Sequence, residues 1–124
     1  DIHVEAPAVR VEDLQVREKG ESSERMRMRV EECRAVQYER FNKTSITCNA
    51  SMPNKMISAY CELSDDNLHM LRRAMNELSL SARAYDRILK VSRTIADLGG
   101  SESIRKPHLL EAIQYRSMDR SFIL

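Results

Sequence analysis

The stretch LSARAYDRILKVSRTIADL, residues 80–98, decides which fold this 124-residue chain can adopt. Ser81 precedes a run without Gly or Pro, and a serine hydroxyl can accept an unpaired backbone N–H at a helix start. Gly99 and Gly100 follow the run, and glycine accepts the left-handed conformation that ends many helices. The pattern predicts an amphipathic helix from residue 81 to about residue 98. Its core face consists of Tyr85, Ile88, Leu89, Ser92, Ile95 and Ala96.

Further helices are predicted on both sides of this stretch. Apolar residues recur at helical spacing, and Ser or Pro stands where most of these helices would start. The predicted ranges are 22–41, 53–60, 64–78 and 106–116, with residues 117–124 as a tail. In the helix over 22–41 the narrow apolar stripe is Met26, Val30, Cys33, Gln37 and Phe41. The sequence therefore predicts an all-α domain, a small four-helix-like bundle.

Residues 1–21 have a different pattern from the rest of the chain. Ile2 and Val4 alternate with polar residues, as in a short strand, and after Pro7 the spacing becomes irregular. A single strand is not stable alone, so we expect either an irregular segment or a strand completing a sheet that lies before Asp1. The sequence thus divides into 1–21, the end of an upstream unit with its linker, and 22–124, the helical domain.

Composition and charge exclude several classes of protein. The 20 Lys and Arg residues nearly balance the 19 Asp and Glu residues, whereas a stand-alone nucleic-acid binder usually has a clear basic excess. No apolar run approaches the ~18 residues of a membrane span. Cys33, Cys48 and Cys61 are widely spaced and favour reduced intracellular thiols. We expect a globular protein that works in the cytoplasm.

The chain contains no complete catalytic motif. It has no GxxxxGK[ST], GxGxxG, GxSxG or HExxH sequence, so the usual signatures of phosphate loops, nucleophile elbows and zinc proteases are missing. His3, His69 and His108 lie far apart, so no metal site is expected. The sequence therefore predicts no independent active site.

One position does suit a phosphate ligand. Arg83 lies in the first turn of the helix predicted over 81–98, where unpaired N–H groups and the helix dipole favour anions. A guanidinium there adds a planar fork of donors. Arg87 and Lys90 share this face and are candidates for secondary phosphate or DNA contacts. The alternative for all three is a solvated, charged surface.

A second interpretation is a stand-alone DNA- or protein-binding module of the helix-turn-helix kind. The helices over 65–78 and 81–98 are joined by a short turn, and the second carries Arg83, Arg87, Lys90 and Arg93. A recognition helix places such residues in the major groove of DNA. The turn lacks glycine and the net charge is close to zero, which disfavours this interpretation.

Four blocks of the sequence resemble a known family. They are DIHVEAPAV at 1–9, RFNKTSITCNASM at 40–52, LSARAY…ILKV.RTIADL within 80–98 and PHLLEAIQYRSMDR at 107–120. In this order they resemble the C-terminal region of the magnesium-chelatase-like AAA+ ATPases of the ComM competence-protein family. Ser92 stands where the family pattern commonly has Ala.

The resemblance implies a helical lid that follows a nucleotide-binding core, with DIHVE as the last core strand. Arg83 occupies the sensor-2 position of the Ser-x-Arg pattern, with the implied role of reaching the γ-phosphate of ATP. The Walker motifs and the arginine finger would lie upstream of Asp1. ATP and Mg²⁺ would then be cofactors of the full-length protein, and the 124 residues alone would bind neither and be inactive. The implied partners are the upstream core, further copies in a ring, and DNA.

Overall fold

The computed structural model describes residues 1–14 and 20–116, and every regular element in these ranges is helical. The all-α prediction is confirmed. The helices are α1 (Val11–Leu14), α2 (Ser23–Arg40), α3 (Asn54–Tyr60), α4 (Asp65–Glu77), α5 (Ala82–Leu98) and α6 (Lys106–Arg116), and a 3₁₀ turn spans Asn49–Ser51. The short α1 falls in the stretch where the spacing of apolar residues is irregular. The predicted tail, 117–124, lies outside the described residues.

The helix α5 is the centre of the domain. It packs against α2, α3, the 3₁₀ turn and α6, and α4 packs against α6. Ile88 of α5, Leu71 of α4, and Leu109 and Ile113 of α6 are fully shielded from solvent. The stretch that predicted the fold is therefore the helix around which the other elements assemble.

Ser92 shows how a polar residue is accommodated at this centre. Its side chain is fully buried on α5. The hydroxyl donates a hydrogen bond of 2.7 Å to the Ile88 carbonyl oxygen one turn earlier. Because the buried hydroxyl is paired, the extra oxygen leaves no unsatisfied group in the core.

Local signals set the helix ends, as predicted. Ser22, Ser64 and Ser81 each accept a backbone N–H from the residue three positions later, at 3.2 Å in every case. Gly100 follows α5 with φ of +69°, a conformation that costs little for glycine and much more for a residue with a Cβ. The caps therefore fix where α2, α4 and α5 begin and where α5 ends.

Replacing Ser81 by Ala is expected to lower the free energy of unfolding by about 1 kcal/mol, because the Ala84 N–H at the start of α5 would lose its acceptor. Ser81→Asp should restore most of the loss, since a carboxylate also caps a helix. Ser45→Ala, at an exposed serine, is the matched control. Urea unfolding of the three variants measures the effect. Equal midpoints for Ser81→Ala and Ser45→Ala would contradict it.

The apolar stripe predicted for α2 is only half correct. Cys33, Gln37 and Phe41 are buried, but Met26 is 46% exposed and Val30 is 51% exposed. Residues 23–32 are exposed throughout. The first half of α2 extends past the surface of α5 that covers the second half. Periodicity identifies the face that would be buried, but whether a neighbour covers it depends on the tertiary arrangement.

The N-terminal segment takes the irregular form that the sequence allowed. Residues 1–10 contain neither helix nor strand. The segment nevertheless contacts the domain, because the His3 N–H donates a hydrogen bond of 2.8 Å to the carbonyl oxygen of Tyr115 in α6. The start of the described chain is thus held beside the C-terminal end of α6.

Candidate functional site

Arg83 is exposed in the first turn of α5, as predicted. No hydrogen bond or ion pair joins its guanidinium to any of the residues whose side chains the structure describes, 1–12, 14 and 20–116. The backbone around it is well defined, because Ser81 caps the helix and Ala84 is buried against the core. Arg83 is therefore an available cation on a fixed helix start, which is the geometry that an anionic oxygen requires.

The two other cations predicted on this face have partners inside the domain. An Arg87 Nη atom lies 3.1 Å from a carboxylate oxygen of Asp1. The Lys90 Nζ donates a hydrogen bond of 3.2 Å to the carbonyl oxygen of Ala50. The structure therefore places Arg83, Arg87 and Lys90 along one helix without forming a single stripe of available charges.

Arg93 was assigned to the basic face in the helix-turn-helix interpretation, and that assignment is wrong. The residue is only 4% exposed. Its two Nη atoms donate to the carbonyl oxygens of Ser101 and Glu102, at 2.7 and 3.0 Å. Moreover, α5 packs against α2, α3 and α6, and only Ala82, Arg83 and Leu98 of this helix are exposed, whereas a recognition helix lays a broad exposed face in the major groove.

A buried polar cluster centred on Asp97 was not predicted from the sequence. The Asp97 carboxylate is completely buried and accepts two hydrogen bonds from Arg40, at 2.6 and 2.8 Å. It also accepts from Asn49 Nδ2 at 2.9 Å and from Arg93 Nε at 3.2 Å. We call these four residues the Asp97 cluster. Bidentate pairs between arginine and a carboxylate are among the stronger hydrogen-bonded contacts in proteins.

Further hydrogen bonds extend the Asp97 cluster across the domain. The Asn49 backbone N–H donates to Gln37 Oε1 at 2.8 Å, and Asn49 Nδ2 donates to the Thr94 hydroxyl at 3.0 Å. Gln37 Nε2 in turn contacts the sulfur of Cys33 at 3.3 Å. The cluster joins α2, the 3₁₀ turn and α5. Arg40 and Asn49 both lie in the RFNKTSITCNASM block, which was the only signal in the sequence.

The protonation state of Asp97 follows from two opposing effects. Burial alone would raise the pKa of this carboxyl. The hydrogen bonds from Arg40 and Asn49 and the charges of Arg40 and Arg93 outweigh burial and hold the pKa below its ordinary value. Asp97 is therefore an ionised carboxylate whose oxygens are buried and already hydrogen-bonded. Its role is to stabilise the fold.

The other titratable side chains offer little chemistry. The thiols of Cys33, Cys48 and Cys61 are free, and burial raises the pKa of Cys61 to about 11, which keeps it protonated and unreactive. Within the described ranges, no group of three His, Cys, Asp or Glu side chains is arranged to hold a metal ion. In the same ranges, no helix is long and apolar enough to cross a membrane. Arg83 therefore remains the candidate binding residue.

Comparison with known proteins identifies the class. Residues 20–116, which are 97 of the 124 residues, match the family described as magnesium chelatase, subunit ChlI C-terminal. The chain belongs to this family, and the matched range contains α2 through α6. The resemblance noted in the sequence is confirmed.

Two curated relatives show what kind of protein carries this domain. The chain is 45% identical over 121 residues to competence protein ComM of Haemophilus influenzae, covering 97% of the chain and 23% of that protein. It is 40% identical over 104 residues to YifB of Escherichia coli, covering 84% of the chain and 20% of that protein. The chain thus spans less than a quarter of the length of these relatives and corresponds to the C-terminal domain of a ComM-like protein.

Proposed function

We propose that this domain is the helical lid of an ATP-driven AAA+ motor that works on DNA. In this proposal residues 22–124 close over ATP and Mg²⁺ bound by a core that precedes residue 1. Residues 1–21 are the end of that core and its linker. Membership of the family and the identity with ComM support the proposal. The name of that relative, a competence protein, supports DNA as the partner of the parent protein.

The observation that carries the proposal is the state of Arg83. A cation that has no partner in the described part of the chain stands at the start of the central helix, beside the Ser81 cap. Its charge and donor fork complement the γ-phosphate oxygens of a nucleotide held by another part of the protein. Arg93 on the same helix is occupied by internal partners, which leaves Arg83 as the residue able to sense the phosphate.

The 124-residue chain without the core is expected to lack ATPase activity. Without the phosphate loop and the acidic metal ligands of a core, the 124-residue chain is expected to bind nucleotide weakly and to hydrolyse no ATP. The parent protein is expected to assemble as a homo-oligomeric ring in the cytoplasm. Each lid would then transmit the nucleotide state of its own subunit to the ring.

Chemical footprinting tests the proposed contact directly. Phenylglyoxal modifies accessible guanidinium groups, and mass spectrometry measures the rate at each arginine. In the full-length parent protein, we expect a slowly hydrolysed ATP analogue with Mg²⁺ to slow modification of Arg83 several-fold. Arg72, exposed on α4, is the internal control and should react at the same rate with or without the analogue.

The isolated chain provides the second control. In the 124-residue chain the analogue should protect neither arginine, because the core that binds the nucleotide is missing. If Arg83 in the parent protein reacts equally fast with and without the analogue, while the analogue is shown to be bound, the lid function assigned to Arg83 is wrong.

A further inference from the structure

The first residues of the chain are held on the domain by three polar contacts. The Asp1 carboxylate lies 3.1 Å from an Arg87 Nη atom and 3.9 Å from an Arg116 Nη atom. The backbone N–H of His3 donates to the Tyr115 carbonyl oxygen at 2.8 Å. We call these five residues the entry clamp. They connect the N-terminal segment to α5 and to the C-terminal end of α6 at the same time.

The environment of Arg116 explains why an acidic side chain suits this position. Its side chain is only 19% exposed, and its Nε is buried without a hydrogen-bond partner in the described ranges. A largely buried guanidinium is costly without a counter-charge. The Asp1 carboxylate, facing both Arg116 and Arg87, supplies that charge.

A backbone hydrogen bond also holds the N-terminal segment on the domain. The last carbonyl groups of a helix have no partner within the helix. The His3 N–H satisfies one of them at Tyr115, so the entering segment completes the end of α6. The segment is therefore positioned by main-chain geometry as well as by charge, and an exposed side-chain ion pair alone would position it only weakly.

We propose that Arg87 and Arg116 form a docking site for the Asp1 carboxylate, and that this entry clamp sets the position of α5 relative to the preceding part of the parent polypeptide. Arg83 lies one turn before Arg87 on the same helix. Arg87 is then a positioning residue for Arg83, in place of a phosphate or DNA contact. The second half of this inference rests on the proposed lid function, and the first half does not.

Amide hydrogen exchange measured by NMR tests the docking site without any nucleotide. The 124-residue chain is used with a Gly-Ser extension, so that Asp1 is not a charged terminus. We expect the His3 amide to exchange more slowly than that of Val4. Asp1→Asn and Arg87→Gln should each reduce the protection about two- to fivefold, the range of a partly exposed ion pair. The double variant should lose no more than Asp1→Asn alone, because Asp1→Asn already removes the pair that Arg87→Gln breaks.

Arg83→Gln is the matched control, since it removes a guanidinium one turn earlier on α5 that has no partner in the described ranges. It should leave His3 protection unchanged. Additive losses for Asp1→Asn and Arg87→Gln would overturn the docking site. So would a His3 amide that exchanges at the rate of an unfolded chain in the unsubstituted protein.

Steady-state kinetics of the parent protein test the positioning role. Arg87→Gln should lower kcat for ATP several-fold, and Arg87→Lys should restore most of it. In an Arg83→Ala background, Arg87→Gln should have no further effect on kcat, because its effect acts through Arg83. Equal losses in both backgrounds, or no loss in either, would overturn the positioning role. If Arg83→Ala itself leaves hydrolysis unchanged, the lid function fails, and the exchange experiment still decides the docking site.

Discussion

Replacing Asp97 by Ala is expected to cost about 3–5 kcal/mol of stability, enough to unfold much of the domain at 37 °C. The carboxylate is fully buried and accepts hydrogen bonds from Arg40, Asn49 and Arg93. Its removal leaves the guanidinium groups of Arg93 and Arg40 without their counter-charge. The Arg93 side chain is almost fully buried and the Arg40 side chain is largely buried, so the loss is far more costly than the loss of one surface contact. Urea unfolding followed by circular dichroism measures the loss.

Asp86→Ala is the matched control, because Asp86 is a half-buried aspartate on the same helix outside the Asp97 cluster. Its effect should stay within about 0.5 kcal/mol. Asp97→Asn tests the role of charge, since it keeps the shape of the side chain and should still be strongly destabilising. A loss below about 1 kcal/mol for Asp97→Ala would show that the cluster contributes little to stability.

The same carboxylate makes the stability depend on pH in a defined direction. Its pKa in the folded state lies below the ordinary value, so the folded state binds its proton less tightly than the unfolded chain. The resulting stabilisation is complete above the unfolded pKa of about 4 and is lost as the pH falls through the folded value. Acid unfolding should therefore show a steep loss of stability below about pH 4, and Asp97→Asn should flatten that region.

Replacing Arg83 by Ala should slow ATP hydrolysis by the parent protein while leaving the fold intact. An arginine finger is worth about 10³–10⁵ in rate, and a sensor that approaches one phosphate is expected to contribute less, about tenfold to a thousandfold. Arg83 is exposed and makes no hydrogen bond or ion pair within the described ranges, so its removal should change stability by no more than about 0.5 kcal/mol. Steady-state ATPase rates and melting temperatures measure the two effects.

Arg72→Ala on α4 is the charge control and should keep normal turnover. Arg87→Ala should have a smaller effect than Arg83→Ala, because Arg87 pairs with Asp1 and, in our proposal, acts on hydrolysis only through Arg83. Near-normal turnover for Arg83→Ala combined with loss for Arg87→Ala would move the sensor by one helical turn. Normal turnover in both variants would remove the phosphate-sensing role.

The parts of the fold that were predicted correctly depend on interactions between residues close together in the sequence. The starts of α2, α4 and α5 depend on Ser22, Ser64 and Ser81, each of which acts within its own first turn. The periodicity of α5 correctly placed Ile88 and Leu89 in the core. These interactions involve residues a few positions apart, so they are visible in the sequence without knowledge of the tertiary structure.

The features that were not predicted depend on contacts between residues far apart in the sequence. Arg40 and Asp97 are 57 positions apart, and both would be assigned to solvent by their residue type. Arg93 was counted among the DNA-facing residues of the helix-turn-helix interpretation, although the Asp97 carboxylate and two backbone carbonyls hold it inside. The exposed position of Arg83 in the first turn of α5 was predicted correctly, because it depends only on where the helix starts. The partners of Arg87 and Lys90 come from distant segments and could not be inferred from spacing.

The Asp97 cluster has a mechanical consequence. A single carboxylate connects the end of α2, the 3₁₀ turn and the last turn of α5, and Arg93 adds the loop at Ser101 and Glu102. None of these segments can slide past another without breaking several charged hydrogen bonds at once. We therefore expect these segments to move together, so that a displacement of the last turn of α5 carries the end of α2 and the 3₁₀ turn with it.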